Sequence, residues 1–146
     1  MPMKLGRGRC AVLVALAAMV ASAAWWGTRR LAREHGSVAA GRSAYARGDW
    51  GEAAGRARAV LKADPADPGA LRLLARSSAR LGRDEPALAL FERLGGDRLE
   101  AEDHLLLAQL LARRDRPDLA REQLWSAYHK DPAHGEALYE LVRSLA

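Results

Sequence analysis

The 146-residue chain divides into two regimes of hydrophobic patterning. From Cys10 to Thr28 the run CAVLVALAAMVASAAWWGT carries no charge, and Arg9 and Arg29 bound it. As a helix rising about 1.5 Å per residue it extends about 28 Å, close to the hydrocarbon thickness of a bilayer. Beyond Arg33 apolar and charged residues interleave, and short polar breaks interrupt them at a nearly fixed interval. Gly48-Asp49-Trp50-Gly51-Glu52-Ala53 returns 34 residues later as Gly82-Arg83-Asp84-Glu85-Pro86-Ala87. A third copy, Asp115-Arg116-Pro117-Asp118-Leu119-Ala120, follows after 33 more. The stretches VLKADP (60–65) and AYHKDP (127–132) both close on Asp-Pro. A period near 34 in a helix–turn–helix pattern predicts an all-α solenoid.

The local signals agree with that period. Asp49 and Glu52 have capping-box spacing, which predicts that their carboxylates satisfy free N–H groups where a second helix starts. Pro86 and Pro117 fall in the first turn of their helices, where a missing N–H costs little. Asp64-Pro65 and Asp131-Pro132 stop the second helices. Each hairpin leaves an apolar face that the next unit covers. Three units are about the minimum for stability, with 135–146 as a terminal capping helix whose Glu136, Glu140 and Arg143 suit a solvated face.

These residues resemble the tetratricopeptide repeat family. The resemblance implies repeats at about 34–67, 68–101 and 101–134. In the first repeat Gly41, Gly48, Ala53 and Pro65 match the family pattern. Ala75, Gly82, Ala87 and Phe91 match it in the second, and Ala108, Ala120, Ala127 and Pro132 in the third. Small residues at Gly41, Ala75 and Ala108, and at Ala53, Ala87 and Ala120, allow the two helices of a unit to approach closely. Ser37 and His104 depart from the pattern, standing where a large apolar residue is usual, and Gly95-Gly96-Asp97 replaces the closing Asp-Pro of the second repeat. The implied fold is a right-handed tetratricopeptide-type helical-hairpin solenoid over 34–146, behind a basic region 1–9 and a transmembrane or signal-anchor helix 10–28.

In this family the first helices line a concave groove. That places Arg42, Arg72, Arg76, Arg80, Gln109 and Arg113 toward a protein or peptide partner. Arg72, Arg76 and Arg80 are spaced i, i+4, i+8 and form one helical stripe. Guanidinium groups pair well with carboxylate or phosphate, so the functional reading is a groove for an acidic or extended peptide. The alternative is a solvated face whose arginines pair with neighbouring acids such as Asp103. The family's chaperone-tail clamp requires Lys and Asn where this chain has Val38, Arg42, Leu73, Glu102 and Leu106, so that activity is not implied.

Composition narrows the classes further. Hydrophobic residues make up 49% and aromatic residues 5%, so the apolar content is mostly Ala and Leu, both strong helix formers. The net charge of +5 comes from Lys4, Arg7, Arg9, Arg29, Arg30 and Arg33, which no acid accompanies, and the remainder is close to neutral. Nucleic-acid binding is therefore not implied by charge. Cys10 is alone and sits in the apolar run, which excludes an internal disulfide. His35, His104, His129 and His134 lack metal-ligand spacing and read as surface or junction residues. The acids Glu100, Glu102, Asp103, Asp84 and Glu85 sit near helix starts, where the helix dipole favours them. No catalytic constellation, cofactor motif or small-molecule site is expected, and the chain is read as a non-enzyme.

Trp25 and Trp26 lie where an interfacial aromatic belt ends a membrane span. The rival is a cleaved signal peptide with Ala21-Ser22-Ala23 as the small-residue site, giving a secreted or periplasmic protein. The uncleaved anchor is preferred, with the repeats on the extracytoplasmic side, as in a bacterial envelope scaffold. A structural subunit docking through the outer face of the solenoid is the competing class.

Overall fold

The computed structural model describes residues 38–145, and the apolar segment 10–28 lies outside them. The helices are α1 (residues 38–46), α2 (Trp50–Ala63), α3 (Pro68–Arg80), α4 (Asp84–Leu94), α5 (Ala101–Arg113), α6 (Pro117–Lys130) and α7 (Gly135–Leu145). A short 3-10 turn, Gly96–Arg98, separates α4 from α5. Among the described residues there is no strand, and no helix is long and apolar enough to cross a membrane.

Three hairpin turns close in the same way. At each, one residue enters the left-handed region: Gly48 (φ +84°), Gly82 (φ +70°) and Asp115 (φ +57°). Its N–H bonds back to the carbonyl three residues earlier, Tyr45, Ala79 and Ala112 respectively, at 3.0, 3.2 and 3.2 Å. The next N–H reaches five residues back, from Asp49 to Ala44, Arg83 to Ser78 and Arg116 to Leu111, at 2.9, 2.9 and 3.0 Å. This pair of bonds is the Schellman closure, which satisfies the last carbonyls of a helix while reversing the chain. The following helix starts at once, and Ala53, Ala87 and Ala120 donate to the carbonyls of Asp49, Arg83 and Arg116.

The opposite ends of the hairpins also repeat, with one exception. Asp64 and Asp131 donate through their N–H groups to Val60 and Ala127, and their carboxylates accept from Ala66 and Ala133, each at 3.0 Å. These Asx turns stop α2 and α6 at the two Asp-Pro sites. Between α4 and α5 Gly95 (φ +82°) takes the chain out of the helix instead, and Leu99 returns to the core.

The core is built from alanine and leucine. Ala44, Ala53, Ala57, Leu71, Leu74, Ala75, Ala87, Phe91, Leu94, Leu106 and Leu110 form one buried cluster across α1 to α5. Leu105, Ala108, Ala120, Leu124, Ala127, Ala137 and Leu141 form a second across α5 to α7. Small residues set the helix spacing. A Cβ added at Gly41 would stand 2.6 Å from Leu73 Cδ2 and 3.3 Å from Arg56 Cβ, so the backbone of α1 lies directly on α2 and α3. The first helices of successive hairpins, α3, α5 and α7, contact one another and make one layer.

Two expectations are corrected. Asp49 does not cap α2 through its side chain, and its carboxylate instead accepts from Arg47 Nε at 3.2 Å while Glu52 pairs with Arg56 at 2.7 Å. His104 is buried rather than at the surface, and its Nδ1 lies 2.8 Å from Gln123 Oε1 on α6. A polar pair there replaces the large apolar residue usual at that position.

Asp115 holds a left-handed conformation that costs a non-glycine residue about 1 kcal/mol. Asp115→Gly is expected to raise stability by no more than about 0.5 kcal/mol, since the greater unfolded-state entropy of glycine offsets most of the relief. Gly82→Ala is expected to lower it by about 1 kcal/mol. Urea midpoints at constant slope check both.

Candidate functional site

The arginine stripe of α3 meets the acidic start of α5. Asp103 is fully buried, and both its oxygens are used. Oδ2 accepts from Arg72 Nε at 3.0 Å and from the Glu100 backbone N–H at 2.8 Å, while Oδ1 accepts from Arg76 Nε at 2.6 Å. One carboxylate therefore starts α5 and clamps it to α3, across the junction where Gly95 and Gly96 replace the Asp-Pro turn. The outer nitrogens of the same arginines hold Glu100, with Arg72 Nη1 3.0 Å from Oε1 and Arg76 Nη2 2.8 Å from Oε2. Arg76 Nη1 also pairs with Glu102 Oε2 at 2.5 Å, and Arg72 Nη2 donates to the Arg98 carbonyl. Burial of Arg76 works against its charge, but the Asp103 and Glu102 carboxylates outweigh it and raise its pKa.

The network continues to α1. Tyr45 donates to Glu102 Oε1 at 2.8 Å and accepts from Arg80 Nε at 3.4 Å. Burial, with Glu102 beside it, pushes the Tyr45 phenol up to about 12, although Arg80 pulls the other way. Farther along the layer Arg113 forms a two-point pair with Asp84 on α4, at 2.8 and 3.2 Å, and holds that carboxyl below its ordinary value. Gln109 donates to Glu136 on α7 at 3.3 Å. Arg42 is exposed on α1.

Of the six groove candidates, Arg72, Arg76 and Arg80 come together around one acidic cluster, while Arg113 and Gln109 engage separate acids. Tyr45 and Glu102 belong to the same layer; Glu102 was read from the sequence as an acid at a helix start and a clamp position, and Tyr45 was not singled out. Both occupy groove positions of the repeat frame, which was the available signal. Beside Glu100 a groove of about 630 Å³ opens, bordered by Arg76, Leu99, Glu102, Lys130, Asp131 and His134. Among the described residues no group of three His, Cys, Asp or Glu side chains is placed to hold a metal ion.

Left-handed hairpin turns at intervals of 34 and 33 residues, small residues at the helix contacts and a layer of first helices make a repeating array of helical hairpins. Residues 38–98 match the tetratricopeptide repeat family model. The fold is a tetratricopeptide-type helical solenoid. Several solved structures are similar to it, and two of them illustrate the likeness. The crystal structure of MamA protein shares 22% identity at a TM-score of 0.60, over 76% of this chain and 61% of that one. The structure of YrrB, described as a TPR protein with an unusual peptide-binding site, shares 16% identity at a TM-score of 0.61, over 75% of this chain and 57% of that one. The chain thus spans about three fifths of the length of these two solved structures. No curated protein matches it.

The burial gradient predicts unequal effects along the clamp. Asp103→Asn is expected to destabilise the fold by about 2–4 kcal/mol, because it removes the charge that two partly buried guanidiniums share. Glu100→Gln, at a carboxylate 58% exposed, is expected to cost less than about 1 kcal/mol in the same urea titration. A separate pH effect follows from Tyr45. Its folded pKa lies above the unfolded value of 10.0, so its contribution is complete below pH 10 and is lost as pH rises toward 12. Phenolate absorbance should show one group titrating near pH 12 that Tyr45→Phe removes.

Proposed function

We propose that this chain is a non-catalytic interaction module that binds an extended, acidic peptide segment of a partner protein along the layer formed by α1, α3, α5 and α7. The observation that carries the reading is the asymmetry of the arginine cluster. The inner nitrogens of Arg72 and Arg76 are committed to buried Asp103, whereas their outer nitrogens are covered by Glu100, which is 58% exposed beside an open groove. A partner carboxylate can take the place of Glu100 without disturbing the clamp. The tetratricopeptide-type fold, which commonly serves protein–protein interaction, supports this reading, as does the peptide-binding site named for YrrB. In the same proposal, residues 10–28 anchor the module to a membrane with the repeats on the extracytoplasmic side, and the chain acts as an envelope scaffold. The support is the uncharged run between Arg9 and Arg29 and the Trp25-Trp26 pair at its end.

One observation favours docking through the outer face as a second reading. Trp125 on α6 is 42% exposed and stacks on His129 at 5.9 Å, with Leu119 also exposed on the same helix.

Photo-crosslinking on full-length chain in carbonate-washed membranes separates the two. The groove reading expects Arg42→Glu to abolish the crosslinked partner, Glu100→Gln to strengthen its capture, and Trp125→Ala to leave it unchanged. Loss with Trp125→Ala and retention with Arg42→Glu would establish the outer face instead. Recovery of the chain only in the wash would remove the anchor.

A further inference from the structure

A second cavity, of about 410 Å³, lies between α5, α6 and α7. That size suits one or two side chains of a ligand. Its floor is apolar and small residues leave the space open, Ala108 and Ala112 from α5 and Ala120 from α6, with Leu124 beside them. Its rim is cationic. Arg113, Arg121 and Arg143 come from three different helices, and Glu140 is the one acid among the lining residues.

The rim charges are not equally committed. Arg143 pairs with Glu140 at 3.0 Å, and Arg113 is held by Asp84 at 2.8 Å. Arg121 has much less. Its Nη1 lies 3.7 Å from Asp118, an acid 91% exposed, and its Nη2 lies 3.4 Å from the Ser144 carbonyl. Its Nε is buried and has no hydrogen-bond partner among the described residues. These weak contacts leave the outer nitrogens of Arg121 open to a ligand carboxylate, and a charge-assisted pair with it is stronger than a bond to a neutral carbonyl. An apolar floor below an under-committed guanidinium selects a ligand with an aliphatic group and a carboxylate on one side.

We propose that this cavity is a specificity pocket for an aliphatic residue and an acidic residue two positions apart in an extended peptide, the aliphatic side chain filling the space over Ala112 and Ala120 and the carboxylate pairing with Arg121. Side chains at i and i+2 of an extended chain point the same way, which is what delivers both groups to one opening. Gln109 and Arg113 border the cavity, so it continues the layer on which the groove reading rests. The pocket adds to that reading a sequence preference at the α5–α7 end.

The test uses the full-length chain and fluorescein-labelled Gly-Ser-Leu-Ser-Glu-Ser-Gly amide, with Glu→Gln and Leu→Ala versions of the peptide as controls. Fluorescence anisotropy is expected to show each control binding about tenfold more weakly, the scale of one charge-assisted hydrogen bond or one buried aliphatic group. Arg121→Gln should erase the preference for Glu over Gln while keeping the preference for Leu over Ala. Ala112→Phe, at an exposed position of the wall, should fill the space and erase the preference for Leu. No binding to the unmodified chain, equal binding of Glu and Gln peptides, or a preference for Glu over Gln that survives Arg121→Gln overturns the pocket. The groove reading stands or falls separately. If these peptides fail while Arg42→Glu still abolishes the membrane crosslink, only the pocket is lost. If they bind as expected while that crosslink resists Arg42→Glu, only the groove is lost.

Discussion

The left-handed residue at each hairpin turn is the constraint from which the rest of the architecture follows. Once Gly48, Gly82 and Asp115 leave the right-handed region, the chain reverses within a few residues and the next helix starts against the previous one. Close antiparallel helices then require small contact residues, and Ala53, Ala75, Ala87, Ala108 and Ala120 supply them. Because alanine buries little area per residue, each hairpin alone is a poor core, and stability has to come from stacking hairpins. The sequence period, the alanine-rich core and the layered fold are one solution to the same geometric demand.

Where the repeated apparatus is interrupted, electrostatics takes over. The α4–α5 junction lacks the Asx turn found after α2 and α6 and passes instead through Gly95 and a 3-10 turn. Two glycines at a joint leave the direction of the next helix weakly specified by the backbone. Asp103 restores the specification. It accepts one hydrogen bond from the start of its own helix and one from each of two arginines on α3, so the register of α5 on α3 is set by three directed contacts. A buried ion pair is a poor source of net stability compared with apolar packing, but it tolerates few alternative geometries.

How much of this was legible in the sequence depended on whether the signal was local. The hairpin turns were visible because the Gly-Asp break recurs, and the helix stops because Asp-Pro recurs. Asp115 could not be read as left-handed, since an isolated Asp does not announce its backbone angle. The Asp49 cap failed for a related reason. Capping-box spacing reports only which residues are able to bond, and a competing partner two residues away, Arg47, drew the carboxylate off. Among the site residues, the arginine stripe was readable from i, i+4, i+8 spacing, and pairing with Asp103 was open as an alternative. The separate engagement of Arg113 with Asp84, and of Tyr45 with Glu102, depends on contacts 29 and 57 residues apart that no local pattern encodes.

The paired state of the arginines bears directly on binding. A guanidinium free in water must shed its hydration to meet a partner carboxylate, and in an exposed pair the gain is small. Arg72 and Arg76 have already lost most of that hydration, because folding has placed them against Asp103. Their outer nitrogens hold Glu100, whose side chain is itself largely in water. Exchange of Glu100 for a partner carboxylate conserves the number of ion pairs at the site and returns Glu100 to full hydration, so the desolvation cost falls mainly on the incoming group. Such an exchange yields modest affinity with strong geometric selection, because the acceptor must fit two fixed forks at once. An interaction module gains specificity from this arrangement more than strength, and affinity then has to come from additional contacts along the same layer.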